Sequence, residues 1–221
     1  METIVNEKKS EILLTEKEVR VISALIEKKY TTPEYYPLSL NSLTNACNQK
    51  SNRNPVVNYS EIEVEETIDL LRAKRFVRKV EDTGRVHKYK ESFTEELNLT
   101  LMEIAALNVL MLRGPQTTGE IRTRSNRIFD FENLNSVEET LQNLIDRETG
   151  ALVKKLDRQV GMKERRYAHL LSGDVVTEDK QEAIPEPENN KLDQLETMVI
   201  NLQNDIDELK NQFAEFRKQF D

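Results

Sequence analysis

Val64-Glu65-Glu66-Thr67-Ile68 and Val137-Glu138-Glu139-Thr140-Leu141 are the same phrase written twice, 73 positions apart. Their surroundings match as well. Upstream, the apolar stripe Val19, Ile22, Leu25, Ile26 has its counterpart in Ile104, Leu107, Leu110, Met111. Downstream, Phe76-Val77-Arg78-Lys79-Val80 is echoed by Leu152-Val153-Lys154-Lys155-Leu156. Each copy then reaches a glycine, Gly84 or Gly161, and a second basic, strand-like run. Order and spacing agree over a whole domain length, which is the signature of one small fold in tandem.

Local signals supply the elements. Thr15-Glu16-Lys17-Glu18 is a capping box opening a helix to about Tyr30. Pro33 and Pro37 force an extended segment, and Ser39 or Asn41 can cap a short helix through Asn48. The polar stretch Asn48 to Pro55 reads as loop. Ser60 caps a third helix with Val64, Ile68 and Leu71 on one face, and Phe76–Val80 with Arg85–Lys90 form a hairpin around Asp82-Thr83-Gly84. In the second copy the helices run from about Leu99 to Arg113, Gly119 to Phe129 and Ser136 to Arg147, with a hairpin turn at Val160-Gly161. Three helices followed by a hairpin, with a short strand after the first helix, is the order of a winged helix. The second copy is 12 residues shorter between its first helix and its repeated phrase.

The expected architecture is therefore mainly α with small β-hairpins (α+β): two tandem winged-helix domains followed by a C-terminal coiled-coil helix. The boundaries are an N-terminal extension at 1–14, domains at 15–93 and 94–173, an acidic linker at 174–191 carrying Pro185 and Pro187, and the helix at 192–221. In that helix Leu192, Leu195, Val199, Leu202, Ile206, Leu209, Phe213 and Phe216 recur at alternating spacings of three and four. Placing Leu192 at a puts Val199 and Ile206 at a and Leu195, Leu202 and Leu209 at d, a pattern that favours a parallel dimer. A helix folded back on its own chain is the competing reading.

The chain has 221 residues and a net charge of −8, and the charge is unevenly spread. Segments 1–14, 15–93, 94–173 and 174–221 carry −1, +2, −1 and −8, so the acidity lies in the tail. An acidic total is thus weak evidence against a nucleic-acid partner. No segment reads as a signal peptide or a bilayer span. The one cysteine, Cys47, excludes an internal disulfide, and a cytoplasmic setting is the simplest expectation.

Several strings carry a family resemblance: Leu25-Ile26-Glu27-Lys28, Thr32-Pro33, Tyr36-Pro37-Leu38-Ser39-Leu40-Asn41 and Ala46-Cys47-Asn48-Gln49-Lys50-Ser51-Asn52-Arg53-Asn54-Pro55. Leu112-Arg113-Gly114-Pro115-Gln116-Thr117, Gly119-Glu120-Ile121-Arg122-Thr123-Arg124-Ser125 and Arg166-Tyr167-Ala168-His169-Leu170 belong with them. Together they resemble the YceH-like family of uncharacterised bacterial proteins over roughly residues 13–173. The resemblance implies two tandem winged helices and brings no established activity.

The residues themselves point away from catalysis. There is no glycine-rich phosphate loop, no Gly-x-Ser-x-Gly and no His/Cys cluster with metal spacing. Neither a metal nor a cofactor is expected. Cys47, beside Ala46 and Leu43, reads as a small core residue before it reads as a nucleophile. His87 and His169 read as surface or packing residues.

Winged helices usually place the third helix in the major groove of double-stranded DNA. Here that helix offers Glu61, Glu63, Glu65, Glu66 and Asp69 in the first copy, and Glu138, Glu139, Gln142 and Asp146 in the second. Carboxylates there repel phosphates. Basic residues cluster elsewhere: Lys50 and Arg53 in the loop, Arg85, Lys88 and Lys90 at the first wing, Arg122, Arg124 and Arg127 on the second helix of copy two, and Lys163, Arg165 and Arg166 at the second wing. The leading expectation is a dimeric, regulator-like DNA-binding protein that uses wings and the Lys50–Arg53 loop. The alternative is a scaffold whose acidic faces dock a protein partner.

Overall fold

A computed structural model describes residues 12–80, 86–158, 161–162 and 164–174. The heptad residues Leu192 to Phe216, most of the linker, and the wing residues Arg85 and Lys163 lie outside the described residues.

Copy one begins with α1 (Glu16–Thr31), whose Thr15 cap makes both bonds of the capping box with Glu18. A 3₁₀ turn at Pro33–Tyr35 leads to β1 (Leu38–Ser39) and then α2 (Leu40–Cys47), capped by Ser39 rather than Asn41. α3 (Glu61–Ala73) opens on Ser60 with a second capping box, closed by Glu63. β2 (Val77–Val80) and β3 (Lys88–Glu91) follow, and the sheet runs β1-β3-β2, antiparallel throughout. A short helix that the pattern did not announce, α4 (Phe93–Glu96), buries Phe93 and starts the passage to copy two.

Copy two contains α5 (Leu101–Arg113), α6 (Thr118–Ser125) and α7 (Leu134–Ile145), followed by β4 (Val153–Lys155) paired with β5 (Tyr167–His169). Three boundaries differ from expectation. α5 starts after a Thr100 capping box, α6 ends four residues before Phe129, and α7 is capped by Asn133 in place of a start at Ser136. Among the described residues copy two also has no third strand. Gln116 alone exchanges two backbone hydrogen bonds with Tyr167, at 3.0 and 2.8 Å. Pro115 precedes it and Thr117 already caps α6, which leaves one residue free to pair.

The two copies share one core. α1 packs on α2 and α3 but also on α5, and α5 packs on α6 and α7. Every residue from Glu18 to Glu27 in α1, and from Glu103 to Leu112 in α5, is buried. A helix buried all round lies inside a structure, not on its surface. The stripe read from the sequence was only one side of each first helix. The opposite side, with Val21, Ala24, Ala105 and Ala106, is buried as well. All described residues fall in one compact unit, and no helix among them is long and apolar enough to cross a membrane.

Candidate functional site

Burying α1 on all sides also buries its polar residues, and their partners come from the Asn48–Pro55 loop. Arg53, expected to meet phosphate, is instead 6% exposed. Its guanidinium donates to Glu27 Oε2 at 2.6 Å and Oε1 at 3.3 Å, to the Ala46 carbonyl at 2.9 Å and to Gln49 Oε1 at 3.1 Å. A fork-on-carboxylate pair of this kind holds geometry as well as charge. Burial pushes the Glu27 carboxyl up, but the bonds and charge of Arg53 outweigh it and hold the group below the ordinary carboxylate value. Arg20, also buried, donates to the carbonyls of Cys47 at 3.3 Å and Pro55 at 2.6 Å.

The same loop reaches into copy two. The Asn54 amide donates to the Leu112 carbonyl at 2.9 Å, and Arg113 donates to Asn52 Oδ1. The loop is therefore a seam between the copies, and Arg53 is its internal fastening. The connection from α2 to α3 spans 48–60, whereas that from α6 to α7 spans 126–133. The seam supplies 5 of the 12 residues by which copy one is longer; the rest lie in the longer first helix and in the segment between it and α2.

Three other expected DNA contacts are engaged within the fold. Arg122 donates to the carbonyls of Phe131 at 3.1 Å and Glu132 at 2.9 Å, closing the α6–α7 turn. Arg124 bonds Gln116 and lies 3.5 Å from Glu120. Arg166 donates to the Pro115 carbonyl and to Glu120, both at 2.9 Å. Lys50, Arg127 and Arg165 are exposed. Lys88 and Lys90 sit half-buried on β3, with Lys90 directly opposite Arg78 of β2 and Arg78 paired to Glu96 at 3.0 Å.

The outer face of α3 is as acidic as expected, with Glu61, Glu65, Glu66 and Asp69 exposed. Glu63 is held by its cap and by Lys17 at 2.6 Å, and these hydrogen bonds bring its carboxyl down to about 2. The apolar component of the face was missed. Ile62 is 69% exposed and Leu70 56%, both set among those acids. In copy two, Glu138, Glu139, Gln142 and Asp146 are exposed, with Leu134 beside them at the start of the helix.

Of the nucleophile and ligand candidates, Cys47 and His169 pack into the fold and His87 is exposed. Cys47 is fully buried, and burial pushes its thiol up to about 12. No group of three or more His, Cys, Asp and Glu able to hold a metal occurs among the described residues. His169 pairs with Val153 across the β4–β5 ladder, and its Nδ1 is buried without a partner among the described residues. Burial pulls this imidazole down from its ordinary 6.5 to about 4. The fold thus favours the neutral form, and the unfolded chain takes up the proton first as pH falls. The contribution is complete above about 6.5 and lost on the way to 4, worth up to ~3 kcal/mol. Urea unfolding between pH 7 and 4 is expected to show a shallower loss of stability for His169→Leu than for the wild type. Parallel pH profiles would contradict it.

The strings that carried the family resemblance meet in space: Glu27 comes from one, Arg53 from a second and Arg113 from a third. A family described as "Protein of unknown function, DUF480" matches residues 14–162, two thirds of the chain. The chain belongs to this family. A UPF0502 protein of Solibacter usitatus is 49% identical over 205 residues, spanning 92% of this chain and 96% of the relative. One from Geobacter sulfurreducens is 46% identical over 219 residues, 96% of this chain and 100% of its own length. A third, from Pectobacterium carotovorum, is 44% identical over 208 residues, 91% of this chain and 96% of its own. These are the uncharacterised bacterial relatives that the YceH-like resemblance points to. The matched region takes in the seam and α3 and ends before β5.

Proposed function

We propose that the chain is a non-catalytic tandem winged-helix protein that docks a protein partner on the outer face of α3 and dimerises through the heptads of 192–221. The observation that carries this reading is the exposure of Ile62 and Leu70 among Glu61, Glu65, Glu66 and Asp69. Ile62 and Leu70 stand about two helical turns apart with Glu66 between them, so the face mixes aliphatic contact area with carboxylates, which suits a protein partner. Carboxylates in the recognition position repel a phosphate backbone and attract a basic partner. The partner this surface suits presents aliphatic side chains flanked by lysine or arginine.

The test is affinity capture with the full chain before and after nuclease treatment, repeated with Ile62→Arg/Leu70→Arg. Both substituted residues are exposed, so the fold is expected to survive. A stoichiometric protein that resists nuclease and is lost with the double variant supports the reading. Capture of the same proteins by both forms would defeat it.

A second reading rests on the first ladder, where Arg78, Lys88 and Lys90 share the solvent face of β2–β3. Like charges set directly opposite one another weaken a sheet, and a phosphate backbone would relieve Arg78 and Lys90. That reading predicts duplex binding with a steep salt slope, which fluorescence anisotropy measures. Arg53, Arg122, Arg124 and Arg166 are already engaged inside the fold and leave it less support than the sequence suggested.

A further inference from the structure

Where the seam loop meets copy two, a cleft of about 190 Å³ opens beside Asn52, Asn108, Arg113, Arg124 and Arg127, with Glu27 in its wall. Its polar lining is unusual. Arg113 closes α5, Arg124 lies in the last turn of α6 and Arg127 follows that helix. A cation at a helix C-terminus complements the helix dipole, which accounts for Arg113 and Arg124 one at a time. It does not account for three arginines converging on one cleft. Burial, then the neighbouring Arg124 and Arg53, pull the Arg113 guanidinium below its ordinary value, so like charges are crowded here.

Glu27 and Glu120 offset that crowding only in part. The one carboxylate in the wall, Glu27, is engaged by Arg53 and lies 3.5 Å from Lys28. Arg113 spends a bond on Asn52, and Arg124 spends one on Gln116 and lies 3.5 Å from Glu120. Arg127 makes no hydrogen bond or ion pair among the described residues. Each guanidinium has several N–H donors in a planar fork, so the cleft offers more donors than the fold consumes.

We propose that this cleft binds a compact oxyanion, the phosphate or carboxylate group of a small solute, held by Arg113 and Arg127 with Arg124 beside it. Arginine forks match both groups in bidentate geometry. The volume lies below the ~300–1,000 Å³ of sites for drug-sized ligands. It admits a free phosphate or a short carboxylic acid and no duplex. A bound anion would join Arg113, which already holds the seam loop through Asn52, to Arg127 beyond α6. It would thereby stiffen the junction of the two copies. The site is separate from the α3 face, and either assignment can fail without the other.

The test is isothermal titration of the full chain with inorganic phosphate and, separately, with acetate, at constant ionic strength in chloride. Saturable binding at one site per chain is expected with one of them, and the anion that binds identifies the group. Arg127→Gln, a change at an exposed residue, is expected to weaken binding at least about tenfold. Lys50→Gln, which removes an exposed cation outside the cleft, is expected to leave it unchanged. Absence of saturable binding with both anions would overturn the assignment. So would a loss in Lys50→Gln equal to that in Arg127→Gln, since that would mark diffuse charge attraction.

Discussion

Arg53→Met lowers the unfolding free energy by ~3–5 kcal/mol, the range seen when one partner of a buried ion pair is removed. The guanidinium side chain is fully buried, and its loss strands Glu27, whose own side chain is 11% exposed. Three further acceptors, Ala46, Gln49 and Asn52, lose a donor at the same time. The size of the effect therefore comes from what the arginine leaves behind, and a second variant separates the terms. Glu27→Leu combined with Arg53→Met removes both charges. It is expected to recover a large part of the loss, because an apolar pair of similar volume replaces a buried ion pair at little cost. Urea unfolding of the two single variants and the double variant measures the coupling. A phosphate-contacting Arg53 would give a different result: stability near wild type and a change confined to nucleic-acid affinity.

Phe93→Ala is the second large effect, ~3–5 kcal/mol by the cost of truncating a buried aromatic. Phe93 has no exposure and meets the edge of Phe76 at 5.1 Å between ring centroids, with the planes 78° apart. It lies on α4, at the passage between copies, so its loss reaches both. Because α1 and α5 pack on each other in a shared core, unfolding is expected to remain a single cooperative transition at a lower midpoint. Thermal unfolding followed by circular dichroism reads both quantities. Two resolved transitions would mean that the copies are independent domains joined only by a tether.

Much of the fold was legible because its signals are local. The caps at Thr15 and Ser60 depend on residues three apart in sequence, and the repeated phrase placed α3 and α7 in register. Asn133 was overlooked as a cap because Ser136, three residues on, offered an equally good side chain; in the fold the Ser136 amide donates to Asn133 Oδ1 at 2.9 Å. The missing third strand of copy two turned on a single residue between Pro115 and Thr117.

The candidate site was less legible, for a physical reason. An arginine in a run of Asn, Gln and Ser reads as a solvated cation. Whether it is buried depends on Glu27, 26 positions earlier, and on α5, whose end lies about 60 positions later. The fully buried circumference of α1 was the missing signal, and Val21, Ala24 and the polar Ser23 between the stripe residues were its trace in the sequence. Ile62 and Leu70 were hidden by the acids around them, since a helix face with four carboxylates reads as merely soluble. The expected coiled coil, and the wing residues Arg85 and Lys163, lie outside the described residues.

The seam is the centre of this account, because it converts a basic-looking loop of the chain from a ligand surface into a joint. The hydrogen-exchange rate of the Asn54 amide tests it most directly. That N–H donates to the Leu112 carbonyl at 2.9 Å across the two copies. The expected result is exchange slowed at least about a thousandfold relative to an unstructured peptide, with protection falling in Arg53→Met as the seam opens. Exchange at the rate of an open, solvated loop in the wild-type chain would contradict the account.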